Sequence, residues 1–264
     1  MKIEHRLRNL CTIAALALCS GAAGAPAATD VSPAHRMQGG AIRYDECLDL
    51  VGHHASQAYD EAAKWADAGG GAAALHCEAL ALTALKRYPE AAQKLEDAAN
   101  AAPAMRAELL DQAGNAWLLA GNTAKSETAL SSALALAPKD EDVLSDRARE
   151  RGVARNWTGA VEDLTAVLAI DPDRADIYVL RASALHAQGK LREARADIAR
   201  ALDIYPNYPE ALVERGAMRL EAGDRTGARA DWQEAAREAP GSSEAGETAR
   251  KRLAQLAVLS RRKK

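Results

Sequence analysis

The chain has 264 residues, of which 48% are apolar and 27% charged, a composition typical of a globular protein with a buried core. Aromatic residues make up only 4% and Phe is absent, which disfavours β-sandwich and barrel folds, while the abundant Ala and Leu favour helices. The formal net charge of −3 disfavours a general nucleic-acid binder, which would be strongly basic.

Residues 1–27 have the three parts of a secretory signal peptide. The start is positively charged, a short apolar core covers residues 10–18, and small residues follow as far as Ala28. The core is shorter than the roughly 20 apolar residues that a membrane span needs. We therefore expect cleavage and export to a periplasm of the Gram-negative type. A lipid anchor at Cys19 and an uncleaved cytosolic N-terminal helix are the less favoured alternatives.

The next segments are predicted to be a flexible leader over residues 28–40 and a divergent helix pair over residues 41–71 that caps the front of the fold. Removal of the signal peptide leaves two cysteines, Cys47 and Cys77. In an oxidising compartment such a pair favours a disulfide. Free thiols, or a metal site that includes the nearby histidines, are the alternatives, although the ligand spacing fits no zinc pattern.

From residue 72 onward, prolines recur every 34 or 35 residues, which is typical of a repeat protein. Five units align on this period: 72–106, 107–140, 141–174, 175–208 and 209–242. Counted from the first residue of a unit, repeat positions 8, 20 and 27 are small, whereas positions 4 and 24 are mostly bulky. Two helices of each unit can therefore approach closely. One unit cannot bury its apolar face alone, so stacking of units must form the core.

This pattern resembles the tetratricopeptide repeat. The resemblance is strongest in two units, and in unit 175–208 it rests on Tyr178, Ala182, Leu185, Gly189, Ala194, Ile198, Ala201 and Pro206. The departures are Arg151 where a large apolar residue is usual, Ser126 where Ala is expected, and Lys86 within a turn that lacks Gly. The resemblance implies an all-α, right-handed superhelical solenoid of helix-turn-helix units in one domain.

The last segment, residues 243–264, is predicted to be a capping helix and a basic tail, with Leu253, Leu256 and Ala257 as the apolar side of the helix. Between the signal peptide and the final fifteen residues, the body has 24 basic against 36 acidic residues, a net charge of −12. The tail is expected to be a solvated end. Weak contact with an anionic membrane surface is the alternative, and no transmembrane segment is expected.

Repeat positions 7 and 23 carry opposite charges in four of the five units. The pairs are Glu78 with Lys94, Arg147 with Asp163, Arg181 with Asp197, and Arg215 with Asp231. Because the two helices of a unit bring these positions together, we expect a structural ion pair within the unit, or a link to the next unit. A catalytic Arg–Asp site is disfavoured, since a pair that recurs in most units is better explained by the fold.

The sequence contains no phosphate-binding loop, dinucleotide fingerprint, zinc-protease helix motif or serine nucleophile motif. We therefore expect a non-enzymatic protein without cofactor or metal. A metal carrier or enzyme that uses the front His and Cys residues is the disfavoured alternative.

The resemblance implies that the first helix of each unit lines a concave face through repeat positions 2, 5, 9, 12 and 13. The candidate groove residues are Glu108, Asp111, Asn115, Asp142, Arg149, Asp176, Ser183, His186 and Glu210. In chaperone-binding members a set of Lys, Asn and Arg clamps a C-terminal carboxylate, and only Asn115 fits that set here. The groove is mildly acidic with apolar patches, so it predicts a basic or amphipathic protein segment as partner.

The predicted function is thus a protein-binding or peptide-binding scaffold of the bacterial cell envelope that uses its concave face. The alternative is an accessory subunit of an envelope complex, which contacts partners by its convex face or basic tail.

Overall fold

The computed structural model describes residues 44–239 and 243–261, with side chains as far as residue 258. The predicted signal peptide and leader, and the last three residues of the basic tail, lie outside the described residues. Within the described ranges the chain is helical apart from turns, and no strand occurs. The fold is therefore the all-α helix-pair solenoid that the sequence predicts.

The chain divides into two compact units, the first ending at Pro138 and the second beginning at Lys139. Unit 1 contains α1 (Tyr44–His53), α2 (Ala55–Asp67), α3 (Gly71–Ala84), α4 (Tyr88–Ala101), α5 (Arg106–Leu119) and α6 (Thr123–Leu136). Unit 2 contains α7 (Glu141–Val153), α8 (Trp157–Ile170), α9 (Ala175–Ala187), α10 (Leu191–Ile204), α11 (Pro209–Glu221), α12 (Arg225–Glu238) and α13 (Glu244–Arg261). The expectation of a single domain stays a prediction, and the two units are described separately.

The turn between the two helices of a repeat requires one residue in the left-handed backbone region. Gly189 supplies it between α9 and α10 with a φ of 77°, and the next amide, Lys190 N–H, donates to Leu185 O at 2.9 Å. This is the usual glycine C-cap of a helix. Lys86 and Arg155 adopt the same conformation, with φ values of 61° and 60°, in the two repeats that have no glycine at this point of the turn. The conformation therefore belongs to the repeat, and Gly only makes it less costly.

The alternation of small and bulky residues is confirmed by the packing within two repeats. A Cβ added to Gly114 would collide with Leu130, and a Cβ added to Gly216 would collide with Trp232. Both pairs join repeat position 8 to position 24. The small residue lets the two backbones approach closely, and the bulky one fills the space beside it.

The closing helix α13 covers the end of the unit 2 core. Leu256 is buried with 2% of its surface exposed, and Leu253 packs against the same cluster. Ala257, expected on the same side, is exposed instead. Residue 257 lies one position beyond Leu256, about 100° further around the helix, and therefore faces away from the core.

The ion pairs predicted at repeat positions 7 and 23 are confirmed, and each lies within its own repeat. The pair distances are 2.6 Å for Lys94–Glu78, 2.7 Å for Arg147–Asp163, 2.8 Å for Arg181–Asp197 and 2.8 Å for Arg215–Asp231. All three Arg–Asp pairs are bidentate, and their carboxylates are nearly buried. This geometry joins the two helices of a repeat through a charged, directional contact.

Two repeats add a second guanidinium to this pair. Arg151 Nη1 donates to Asp163 at 2.9 Å, and Arg219 Nη1 donates to Asp231 at 2.8 Å. Arg151, which departs from the repeat pattern, is therefore explained by its contact with the same carboxylate that Arg147 binds.

A disulfide joins Cys47 of α1 to Cys77 of α3. The two Cα atoms are 6.2 Å apart across 30 residues of sequence, and neither side chain is exposed. The bridge holds the divergent N-terminal helix pair against the first helix of the repeat that follows it.

Candidate binding face

The nine candidate groove residues divide between the two units. Glu108, Asp111 and Asn115 lie on α5 in unit 1, whereas the other six lie on α7, α9 and α11 in unit 2. Each unit therefore has its own first-helix surface.

In unit 1, repeat position 5 is used for internal hydrogen bonds. His76 Nδ1 lies 2.6 Å from the Tyr44 hydroxyl, and His76 Nε2 lies 2.8 Å from Gln112 Oε1. The imidazole is 3% exposed and stacks on the Tyr44 ring. Burial lowers the pKa of His76, and the hydrogen bond to Gln112 opposes this only in part. His76 therefore links α1, α3 and α5 as a neutral side chain and is not available as a ligand.

The candidate residues on α5 offer little surface to a partner. Asp111 and Asn115 are buried, with 8% and 7% exposed, and the Asn115 amide donates to Asp111 O at 3.3 Å. Glu108 is half-buried and accepts a hydrogen bond from Gln112 at 3.5 Å. Both side chains are therefore largely covered by the packing of unit 1, and their function in a groove stays a prediction.

In unit 2, three of the predicted acids gather near the starts of successive first helices. Arg174 holds Asp176 through two hydrogen bonds of 2.9 Å and lies 3.6 Å from Glu141. Its pKa is raised mainly by the bond to Asp176, with further contributions from Asp142 and Glu141. We call Glu141, Asp142, Asp176 and Glu210 the acidic row.

Tyr208 connects Glu210 to the same group. Burial raises the pKa of the Tyr208 hydroxyl, and the negative charges of Glu210 and Asp176 raise it further. Asp142, Asp176 and Glu210, which are each about one repeat apart in sequence, therefore act in a common electrostatic environment.

A second polar cluster lies near the other end of the same helices. His186 Nε2 on α9 is 2.7 Å from Glu221 Oε2 on α11. Glu214 lies close by, and burial raises its pKa while His186 and Arg252 oppose that shift. Arg252 belongs to the closing helix, so this cluster joins α9, α11 and α13.

The remaining two candidates have local roles. Arg149 forms an ion pair with Asp146 on its own helix, and both side chains are largely buried. Ser183 is half-buried on α9, between the acidic row and the His186 cluster.

The site contains residues that the repeat pattern did not indicate. Arg174 and Tyr208 occupy the last position of their repeats, directly before the helix that carries the next acid. Glu214 occupies repeat position 6, and Arg252 lies outside the repeats. A comparison of repeat position 34 would have pointed to Arg174 and Tyr208, because this position directly precedes the first helix of the next repeat.

Over the described ranges, no cluster of three or more His, Cys, Asp or Glu side chains has an arrangement that could hold a metal ion. None of the described helices combines the length and apolar character needed to cross a membrane.

The repeat geometry of unit 2 agrees with a family comparison, in which residues 145–209 and 188–244 match the tetratricopeptide repeat. Residues 145–244 therefore consist of tetratricopeptide repeats. Repeats of this family generally form non-catalytic scaffolds for protein–protein interaction. Among curated proteins, no sequence matches the chain significantly.

Solved structures of tetratricopeptide repeat proteins have a similar fold. A tetratricopeptide repeat protein from Parabacteroides merdae ATCC 43184 has a TM-score of 0.60 at 16% identity, over 82% of this chain and 86% of that chain. MamA from Desulfovibrio magneticus RS-1, from residue 41 to its end, has a TM-score of 0.57 at 20% identity, over 64% and 97% respectively. YrrB, a tetratricopeptide repeat protein with an unusual peptide-binding site, has a TM-score of 0.56 at 20% identity, over 66% and 91%. At these identities the similarity concerns the fold alone.

Proposed function

We propose that this protein is an exported, non-enzymatic scaffold of the bacterial cell envelope that binds a basic or amphipathic segment of a protein partner through the first-helix face of unit 2. The acidic row carries this proposal. It brings acidic side chains from three successive repeats onto one face, and such an acidic face attracts a positively charged segment and speeds its encounter.

Apolar residues beside the acidic row supply a smaller contribution to binding. Val213 and Leu220 on α11 are partly buried, while Val179 on α9 is only 7% exposed. Few large apolar anchors are therefore open to a partner. Because such anchors dominate the affinity of most interfaces, we expect a dissociation constant in the micromolar range. The interaction should weaken as salt screens the charges.

The fold and one structural neighbour support a peptide or protein as ligand. Tetratricopeptide repeats generally serve as interaction scaffolds, and the neighbour YrrB has a peptide-binding site of its own. The absence of a catalytic motif from the sequence supports a non-enzymatic function.

Two features support export to an oxidising compartment. The first is the signal-peptide pattern of residues 1–27, and the second is the buried Cys47–Cys77 disulfide. If the proposal is right, N-terminal sequencing of the protein from a periplasmic fraction begins between Ala23 and Ala28. A protein that starts at Met1 and remains in the cytosol contradicts export.

Photo-crosslinking in living cells tests which face binds. A benzoylphenylalanine at Ser183 lies on the proposed face, whereas one at Arg229 lies on the exposed side of α12. We expect a discrete crosslinked protein from position 183 and none from position 229. The same adduct from position 229 alone contradicts the proposal and favours an accessory subunit that binds by another face.

A further inference from the structure

A second candidate site lies elsewhere in unit 2, between the second helix of one repeat and the first helix of the next. Here α10 and α11 enclose a cleft of about 360 Å³. Pockets that bind small molecules commonly have volumes of about 300–1,000 Å³, so the cleft matches a ligand of modest size.

The floor of the cleft is apolar. Ile198 and Met218 are 1% and 3% exposed and separate the cleft from the core, and Ala199 and Ala222 complete its lining. Neither alanine fills the space in front of it. The apolar body of a ligand would therefore replace water over this floor and gain from the hydrophobic effect.

The wall of the cleft is positively charged. Arg215 and Arg219 both contact Asp231 at 2.8 Å, so two guanidinium groups share one carboxylate. The two arginine side chains remain 37% exposed, whereas the Asp231 side chain is 4% exposed. The Arg–Arg–Asp group therefore presents a net positive charge to the cleft.

A third arginine adds to this charge. Arg195 on α10 also lines the cleft, is exposed, and forms no ion pair with any described residue. Asp224 lines the cleft as well, and its carboxylate already accepts a hydrogen bond of 2.8 Å from Gly227 N–H. The three arginines still outnumber the two carboxylates, so the cleft favours an anion.

The cleft is separate from the proposed protein-binding face. Met218, Arg219 and Ala222 lie on the opposite side of α11 from Val213 and Leu220, because a helix turns by about 100° per residue. A ligand in the cleft would therefore leave the acidic row free, and each site can be tested without the other.

We propose that this cleft binds a small molecule with an apolar body and one carboxylate. The apolar body lies over Ile198 and Met218. The carboxylate lies at the mouth of the cleft, where Arg195 and the exposed guanidinium groups of Arg215 and Arg219 can donate hydrogen bonds to it. Charge-assisted bonds of this kind are the strongest that a guanidinium makes with an acid.

The proposal is tested by titrating the purified full chain with 4-phenylbutyrate and following the Met218 methyl resonance. We expect a saturable shift with a dissociation constant on the order of 0.1–1 mM, as is usual for a ligand of this size. The uncharged analogue 4-phenylbutyramide should bind about tenfold more weakly, because it lacks the carboxylate. Equal binding of acid and amide, or no shift of Met218 with either, overturns the proposal.

Two variants locate the site without disturbing the core. Arg195→Gln should weaken binding of 4-phenylbutyrate about tenfold, because it removes a charge-assisted contact. Arg200→Gln is the matched control, since Arg200 lies on the same helix and only makes an exposed pair with Asp173 at 3.1 Å. Its affinity should stay within about twofold of the parent, because exposed pairs contribute little. Equal effects of the two variants contradict the assignment.

Ala199→Leu tests the apolar floor. Leu has nearly the helix propensity of Ala, so the variant should keep the thermal unfolding midpoint of the parent. Its side chain fills the cleft and should abolish the shift of the Met218 resonance. A folded Ala199→Leu variant that binds 4-phenylbutyrate with unchanged affinity overturns the proposal.

Discussion

Ser126 is a buried hydroxyl at a position where the other repeats have alanine. It is fully buried at repeat position 20, and among the residues that the structure describes none forms a hydrogen bond with its Oγ. The equivalent residues are Ala91, Ala160, Ala194 and Ala228, all with 2% exposure or less. A buried polar group without a partner lowers stability by about 1–3 kcal/mol, so Ser126 weakens unit 1.

We therefore predict that Ser126→Ala raises the free energy of unfolding by about 1 kcal/mol. Urea titration followed by circular dichroism measures this change. The control is Ser132→Ala, at an exposed serine that donates to Thr128 O at 2.8 Å, and it should change stability by less than about 0.5 kcal/mol. A loss of stability in Ser126→Ala would show that the hydroxyl has a partner after all.

For single residues, the sequence predicted the conformation or burial correctly where these depend on the residue's own repeat. The turn glycines, such as Gly189, could be predicted because the left-handed backbone at a helix end favours Gly. The burial of Asp111 and Asn115 could not, because it depends on how the neighbouring helices cover α5. A periodic pattern predicts the direction in which a side chain points. It does not predict how far the adjacent helices cover that side chain.

The helices of a repeat are joined by ion pairs whose carboxylates are nearly buried. In the Arg181–Asp197 pair both hydrogen bonds are 2.8 Å long, and the Asp197 side chain is 9% exposed. Removal of Arg181 alone leaves a desolvated carboxylate without its main partner, which is strongly unfavourable. The pair should therefore be energetically coupled.

A double-mutant cycle at Arg181 and Asp197 measures this coupling. We expect about 1–3 kcal/mol, so that Arg181→Ala lowers stability more in the parent than in the Asp197→Ala background. The control is the exposed pair of Arg200 and Asp173, for which about 0–0.5 kcal/mol is expected. A coupling near zero at Arg181–Asp197 would mean that these pairs do not stabilise the repeat.

The disulfide acts at the scale of two helices. It closes a loop of 30 residues between α1 and α3, and in the chain-entropy model such a loop stabilises the fold by about 3–4 kcal/mol. We predict that the Cys47→Ala/Cys77→Ala double variant loses about 3–4 kcal/mol of unfolding free energy, measured by urea titration. Thiol labelling of the denatured, unreduced parent should find neither Cys47 nor Cys77 free. Quantitative labelling of both would contradict the bridge.

At the level of elements the repeat pattern predicted which positions pair, and it did not predict how many partners each acid has. Repeat positions 7 and 23 carry opposite charges in most repeats, which indicated one ion pair per repeat. The second guanidinium on Asp163 comes from Arg151, whose position usually holds an apolar residue. This contact depends on how the two helices of the repeat pack together, which the sequence pattern does not specify.

On the scale of the whole molecule, the period of 34 residues predicts the order of the helix pairs but not the division of the chain after Pro138. Each repeat has similar local signals, so no single repeat marks the boundary. Stability in such arrays is approximately a sum over repeats and their interfaces.

The acidic row is likewise a property of several repeats together. Asp142, Asp176 and Glu210 come from three repeats, and the residues that connect them, Arg174 and Tyr208, each end the repeat before. The sequence identified the acids but not their connection, because no single repeat contains the group.

Charge reversal within the acidic row tests the proposed function most directly. The probe is a synthetic amphipathic peptide of about twelve Lys and Leu residues, titrated calorimetrically into the parent and two double variants. Asp142→Lys/Glu210→Lys reverses two acids of the row. Glu162→Lys/Asp203→Lys reverses two exposed acids on α8 and α10 with the same change in net charge. We predict a loss of affinity of about tenfold or more for the row variant at low salt and about twofold or less for the control. Equal losses would show that only net charge matters, and unchanged binding by a folded row variant would contradict the proposed binding face.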